Sequence, residues 1–202
     1  IGPVAQDSMS AAGIRTFDDL LRWDRRDLHA RFGSMGERLY ALARGEDGRR
    51  ISNSAPVKGI SNETTFSTDT SDPDILDGHI WRLAEKISAR AKAKDIAGRV
   101  VTLKLKTSDF KQLSRRQSLH HPTQLADTIY RTARNLFDQA GTNGPLRLIG
   151  VGISALGPTT DADRTGDLLD PDANKRAKAE AAADKIREKF GKDAIIKGRA
   201  LR

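Results

Sequence analysis

Between residues 98 and 120 apolar and polar side chains alternate with a period of two. Val101, Leu103 and Leu105 share one face, and Thr102, Lys104 and Lys106 share the other. That alternation predicts a half-buried β-strand, apolar inside and cationic outside. A short polar turn follows, and then a second strand. Its alternation groups Arg115 and Gln117 with Leu113 and Leu119, and Arg116 with Ser114 and Ser118. The set Ser114, Arg116 and Ser118 is expected to face outward, an assignment that a bulge would change.

The flanking segments supply the rest of a layer. Residues 58–66, KGISNETTF, are strand-like with weak alternation. Asp72 is placed to cap a helix with Pro73 at its first position. Leu76, Ile80, Leu83, Ile87 and Ala91 then make one apolar stripe. Gly98 breaks this segment before the two basic strands. Pro122 is expected to open a second helix, with Leu125, Ile129, Ala133, Leu136 and Phe137 as its stripe. Leu146 to Leu156 reads as a last strand whose Gly150 and Gly152 leave one face bare. The order β-α-β-β-α-β over residues 58–157 predicts a four-stranded sheet with two helices on one face and the basic side open.

Outside this region the pattern changes. Residues 1–50 read as a small all-α unit of short helices. Gly13 and Gly33 end two of them, and Thr16 and Asp24 cap two. A further short helix covers Gly36 to Arg44. Residues 51–57 are a linker. In 158–202 a Gly-, Pro-, Asp- and Thr-rich stretch reads as flexible tail. It leads to a helix over 173–190, whose thin stripe of Ala179, Ala183, Ile186 and Phe190 is available for docking. The expected class is therefore α+β: a small helical unit, an α/β sandwich of one sheet and two helices, and a helical tail.

Composition sharpens this. The 202 residues carry a formal net charge of +8 and no cysteine, which excludes disulfides and thiolate metal sites. No apolar run approaches the roughly 18 residues of a membrane helix. Ile1 opens without a Met or a basic n-region, so no signal peptide and a cytoplasmic location are expected. The start also falls inside what reads as a motif, which points to a piece of a longer protein. The charge is uneven: residues 98–120 hold six basic side chains against Asp109 alone. A face of one sign makes a polyanion its natural partner.

Candidate chemistry is sparse. His29 and His79 are isolated on helices, and His120 and His121 lack acids at ligand spacing. There is no nucleophile with a base, no P-loop and no acid pair on the sheet, so no catalytic residue and no metal ligand is assigned. The opening Ile1-Gly2-Pro3-Val4, followed by a helix and AGIRTFDDL, resembles the second half of a helix-hairpin-helix. In that motif a Gly turn aims backbone N–H groups at a phosphate.

These blocks together resemble a known family. KGISNETTF, IWRLAEKISARAKAK, GRVVTLKLKTSDF, SRRQSL, PTQLAD and LRLIGVGIS are similar to the little-finger domain of Y-family translesion DNA polymerases of the bacterial DinB-like branch. IGPVAQDSMSAAGIRTFDDL and FGSMGERLYALARGED resemble the thumb before it, and AAADKIREKFGKDAIIKGRALR resembles the ends of several members. The resemblance implies low-fidelity, template-directed DNA synthesis across damaged bases with two Mg²⁺ ions. The family's metal-binding carboxylates lie in a palm domain upstream, and no position here matches them. This chain is therefore expected to hold primer-template duplex DNA without polymerising it.

By the same resemblance, Gly2 and Val4 match the thumb hairpin near a backbone phosphate. Lys104, Lys106 and the Ser114-Arg115-Arg116 run match the gripping sheet face, to which Thr102 and Ser118 are added by position. Members carry a sliding-clamp peptide near the C-terminus; the nearest match, with Leu168 and Leu169 as its contacts, lacks the Gln and the aromatic. A monomer is expected. The competing readings are a stand-alone RNA- or DNA-binding module of RRM-like topology, which would stack bases on strand aromatics, and an adaptor that docks a partner through helix 173–190.

Overall fold

The computed structural model describes residues 1–51, 56–142, 144–163, 172–191 and 193–198. The chain divides into two compact units, Ile1–Ala55 and Pro56–Arg202.

The first unit holds four short helices: α1 (Pro3–Ala11), α2 (Phe17–Leu21), α3 (Arg25–Phe32) and α4 (Ser34–Ala43). Local chemistry places their ends. Thr16 and Asp19 form a capping box, and Asp24 accepts a hydrogen bond from the Arg26 N–H. Met9, Ile14, Leu20, Leu28 and Leu39 are the buried core. Gly36, expected to begin the fourth helix, lies inside α4, which starts at Ser34. A side chain there would meet the Leu28 carbonyl oxygen at 2.0 Å, so the absence of a Cβ is what lets α3 and α4 approach.

The second unit has the expected α+β architecture. Its elements are β1 (Gly59–Thr70), α5 (Pro73–Lys92), β2 (Ile96–Thr107), β3 (Gln112–Thr123), α6 (Ala126–Asp138), β4 (Leu146–Pro158) and α7 (Ala173–Phe190). The antiparallel sheet has the order β1-β4-β2-β3. Helix α5 lies over β1 and β4, and α6 over β2 and β3. The α5 stripe is buried as its spacing predicts: Leu76, Ile80, Leu83, Ile87 and Ala91 pack against Ile60, Val101, Leu103, Leu105, Ile149, Val151 and Ile153. Asp72 caps α5 by accepting from the Asp74 and Ile75 N–H groups.

Three local expectations are corrected. Gly98 does not break the chain; it lies within β2, where a Cβ would stand 2.7 Å from that of Ile153. Pro122 does not open a helix. It continues β3 beyond a register shift opposite Arg99, and α6 begins at Ala126 with Leu125 as an N-cap that has no side-chain acceptor. Asp163, in the stretch read as flexible tail, is fixed to the end of β3. Its carboxylate accepts from the Thr123 hydroxyl at 2.5 Å and the Gln124 N–H at 3.1 Å.

The missing cap of α6 comes from α7. Glu180, 4% exposed, accepts from the Ala126 N–H at 2.8 Å and the Asp127 N–H at 3.2 Å. It also takes hydrogen bonds from Ser88 and from the Lys92 ammonium, the latter at 2.6 Å. Arg176 on Asp127 and Arg187 on Glu85, each 2.7 Å, extend the contact. Helix α7 therefore docks by its charged side. Of the apolar stripe expected to dock, Ala179 and Phe190 are exposed and Ile186 is 37% exposed. A buried carboxylate at a helix N-terminus satisfies N–H groups that otherwise lack partners and sits favourably in the helix dipole.

Burial pushes the Glu180 carboxyl up, but the Lys92 ammonium and the two N–H groups outweigh it, and the group lies below its ordinary value. Lys92, desolvated but held by Asp184 and Glu180, lies above its own. Glu180 thus stabilises above the ordinary glutamate value, and this is lost as pH falls through the lowered one. Asp163 acts in the opposite sense: burial raises it, so its contribution shrinks as pH rises.

Two outcomes are expected. Gly36→Ala should destabilise the first unit by about 2–3 kcal/mol through overpacking, seen as faster hydrogen exchange of α3 and α4 amides. Glu180→Gln should cost about 3 kcal/mol at pH 7 in urea unfolding. That gap should narrow below pH 4.5, as the wild-type carboxyl takes up its proton; a pH-independent gap would show that the charge contributes nothing.

Candidate nucleic-acid interface

The face of the sheet away from α5 and α6 is set by register. In strand order, Thr65, Leu148, Lys106 and Gln112 form one row across it. Glu63, Gly150, Lys104 and Ser114 form the next, then Ser61, Gly152, Thr102 and Arg116, then Gly59, Ser154, Val100 and Ser118. The predicted outward residues Thr102, Lys104, Lys106, Ser114, Arg116 and Ser118 thus share one surface. The register shift in β3 falls beyond Ser118 and leaves their alternation intact.

Arg115 does not join them. It aligns with Leu103 on the helix-covered side, together with Gln117 opposite Val101. Both are exposed, because β3 is an edge strand. Gly2 and Val4 lie in the other unit. Gly2 is the N-cap of α1 with open space where a Cβ would stand, and Val4 is 84% exposed. Leu168 and Leu169 fall outside the described residues.

The charge on the face is not of one sign, as the sequence expectation had it. Glu63 stands in the Lys104 row, and its Oε2 accepts from the Lys104 Nζ at 2.8 Å. Lys111 pairs with Asp109 in the β2–β3 turn at 2.8 Å; with Thr107 also donating, this holds the Asp109 carboxyl down at about 2. The Arg99 Nε donates to the Leu119 carbonyl. Lys106 Nζ lies 4.7 Å from the Phe110 ring centre, with the Arg147 guanidinium at the same distance. Arg116 has no ion pair among the described residues.

The bare strip of β4 is also more specific than expected. At Gly150 a Cβ would sit 3.0 Å from the Glu63 Cβ, and at Gly152 3.0 Å from that of Ser61. The glycines make a trough between β1 and β2, and the outer rows carry no aromatic side chain. Glu63 could have been placed outward from Ile60 by simple alternation. Its partner could not, since the contact needs the strand order.

An open, polar, partly cationic sheet face on an α+β domain is the class that fold and site define. Residues 57–168 match the C-terminal domain of the impB/mucB/samB family, and the chain belongs to that family. It is 43% identical over 198 residues to a DNA polymerase IV of Brucella melitensis, covering 98% of this chain and 44% of that protein. Against DNA polymerase IV 1 of Mesorhizobium japonicum the identity is again 43%, over 98% of this chain and 45% of the relative. Against DNA polymerase IV of Caulobacter vibrioides it is 40%, over 100% and 50%. The resemblance to Y-family polymerases is borne out, and the chain spans about half the length of the curated relatives it matches.

Among the described residues no helix is long and apolar enough to cross a membrane, and no group of three or more His, Cys, Asp or Glu could hold a metal ion.

The Lys104 and Glu63 side chains are 35% and 50% exposed, so their pair should contribute under about 1 kcal/mol. Lys104→Met should therefore shift the urea midpoint only slightly. A loss of several kcal/mol would mean that the pair is structural and that charge changes on this face cannot report on binding alone.

Proposed function

We propose that the open sheet face holds primer-template duplex DNA through its backbone phosphates, as the C-terminal, DNA-gripping part of a low-fidelity translesion polymerase. The observation that carries this is the gathering of Thr102, Lys104, Lys106, Ser114, Arg116 and Ser118 on the one face the helices leave uncovered. Lysine and arginine on adjacent strands neutralise successive phosphates, and the hydroxyls between them donate to phosphate oxygens. Such contacts fix a duplex without reading bases, which suits a protein that must move along any sequence. The DNA polymerase IV relatives support this choice of polyanion.

In this reading the first unit is the thumb. Gly2 leaves the uncapped N-terminus of α1 open for a backbone phosphate, with Val4 beside it. Arg115, on the other side of the edge strand, contributes long-range charge rather than a contact in the row. Nucleotidyl transfer belongs to palm carboxylates outside this chain. The Mg²⁺ implied for the polymerase finds no ligand set among the described residues, and no step here runs through it. The chain alone is inactive in synthesis. A sliding clamp is the further partner that the family resemblance implies, through Leu168 and Leu169, in a segment that lacks the family's Gln and aromatic, and the unit acts as a monomer.

Reversing Lys104, Lys106 and Arg116 to Glu should weaken duplex binding more than about a hundred-fold at low salt, and make the slope of log K against log salt shallower by about 2–3. Fluorescence anisotropy with a labelled duplex measures both, with circular dichroism as the folding control. Unchanged affinity would overturn the assignment. A preference for single-stranded RNA over duplex DNA would favour the RRM-like alternative.

A further inference from the structure

The ion pair on the open face occupies a cation that the face would otherwise present to a phosphate. β1 and β2 are not neighbours. They stand two strand spacings apart, about 9.5 Å, with β4 between them. Side chains on them meet most directly where the residue between has none. Gly150 is that residue: Glu63 and Lys104 are its register partners on either side, and their charged atoms meet at 2.8 Å. Any Cβ at Gly150 would stand 3.0 Å from the Glu63 Cβ and intrude on the contact.

The pair lies at the surface, so water and salt screen it and it exchanges partners readily. A duplex phosphate is a similar anion, with the advantage that its neutralisation releases condensed counterions. Glu63 and a phosphate therefore seek the same ammonium. Arg116 and Lys106 have no carboxylate in their rows, so the competition is confined to Lys104.

We propose that Glu63 is a built-in competitor for the Lys104 ammonium, bridging Gly150, and that it sets the strength of the sheet's grip on duplex DNA below what its cations alone would give. This rests on the reading of the open face as the duplex-binding surface. The physical advantage is speed of release. A phosphate leaving Lys104 is replaced at once by a carboxylate already in reach, so the cation is never left uncompensated as the duplex advances.

The test is a double-mutant cycle on the full 202-residue chain, with Kd for a labelled duplex measured by anisotropy across a salt series. Glu63→Gln should tighten binding roughly two- to five-fold at low salt, with the gain shrinking as salt screens the competing pair. In the Lys104→Met background, Glu63→Gln should leave Kd unchanged. If Glu63 acted by general repulsion of DNA, the gain would be the same in both backgrounds, and the proposal would fail. No gain in either background would also overturn it. Arg116→Glu separates the two levels. If it weakens binding while Glu63→Gln does nothing, the competitor role alone falls; if it too is without effect, the duplex-binding face falls with it.

Discussion

Burial of Val101, Leu103 and Leu105 beneath the helices is the constraint from which the face follows. All three are at most 1% exposed, and each contributes about 1.5–3 kcal/mol relative to exposure. Side chains alternate along a strand, so this burial commits Thr102, Lys104 and Lys106 to the other side. A slip of one residue would put two ammonium groups into the core and expose three aliphatic side chains. β4 is held in the same way by Ile149, Val151 and Ile153, which sends Gly150 and Gly152 outward. At the edge strand the constraint weakens. Leu113 and Leu119 pack only partly against the core, and Arg115 and Gln117 between them reach water on the side where a central strand would bury apolar residues.

The helical layer that enforces this alternation is itself secured from a distance. α5 carries its own cap in Asp72, whereas α6 has Leu125 at that position and relies on Glu180. The same carboxylate joins Lys92, in the last turn of α5, to the start of α6. One buried acid therefore ties the end of one covering helix to the beginning of the other, and α7 is the element that brings it there.

Legibility in the sequence follows the range of the interactions. The α5 stripe and its Asp72 cap, the capping box at Thr16 and the outward set on β2 depend on residues within a few positions of one another, and all are visible in the pattern. Local rules place the second helix at Pro122, a good helix opener, whereas in the fold Pro122 extends β3 past a register shift. The cap at Glu180 lies 54 residues from Ala126. The docking side of α7 is not legible in the sequence, because a thin Ala-rich stripe is a weak signal and charged residues ordinarily read as solvated. The pairing of Glu63 with Lys104 is hidden for a related reason. Its partner is 41 residues away, and only the strand order β1-β4-β2 places them across a glycine.

The strand geometry also bears on what such a face can recognise. Successive outward residues on one strand are about 6.8 Å apart, and duplex DNA rises about 3.4 Å per base step. Lys104 and Lys106 thus span about two steps when the strand follows the groove. The adjacent strand β3, about 4.8 Å to the side, repeats the same spacing of about 6.8 Å along its length through Ser114, Arg116 and Ser118. Reading a base needs a rigid donor or acceptor fork at an edge, such as Arg on guanine or Asn on adenine. The rows offer mainly flexible ammonium groups, small hydroxyls and a glycine trough, with Arg116 the one guanidinium and Gln112 the one side-chain amide. In the proposed duplex-binding role, chemistry of that kind follows the backbone and is indifferent to the sequence it carries, with the Glu63 carboxylate as the proposed limit on how firmly it does so.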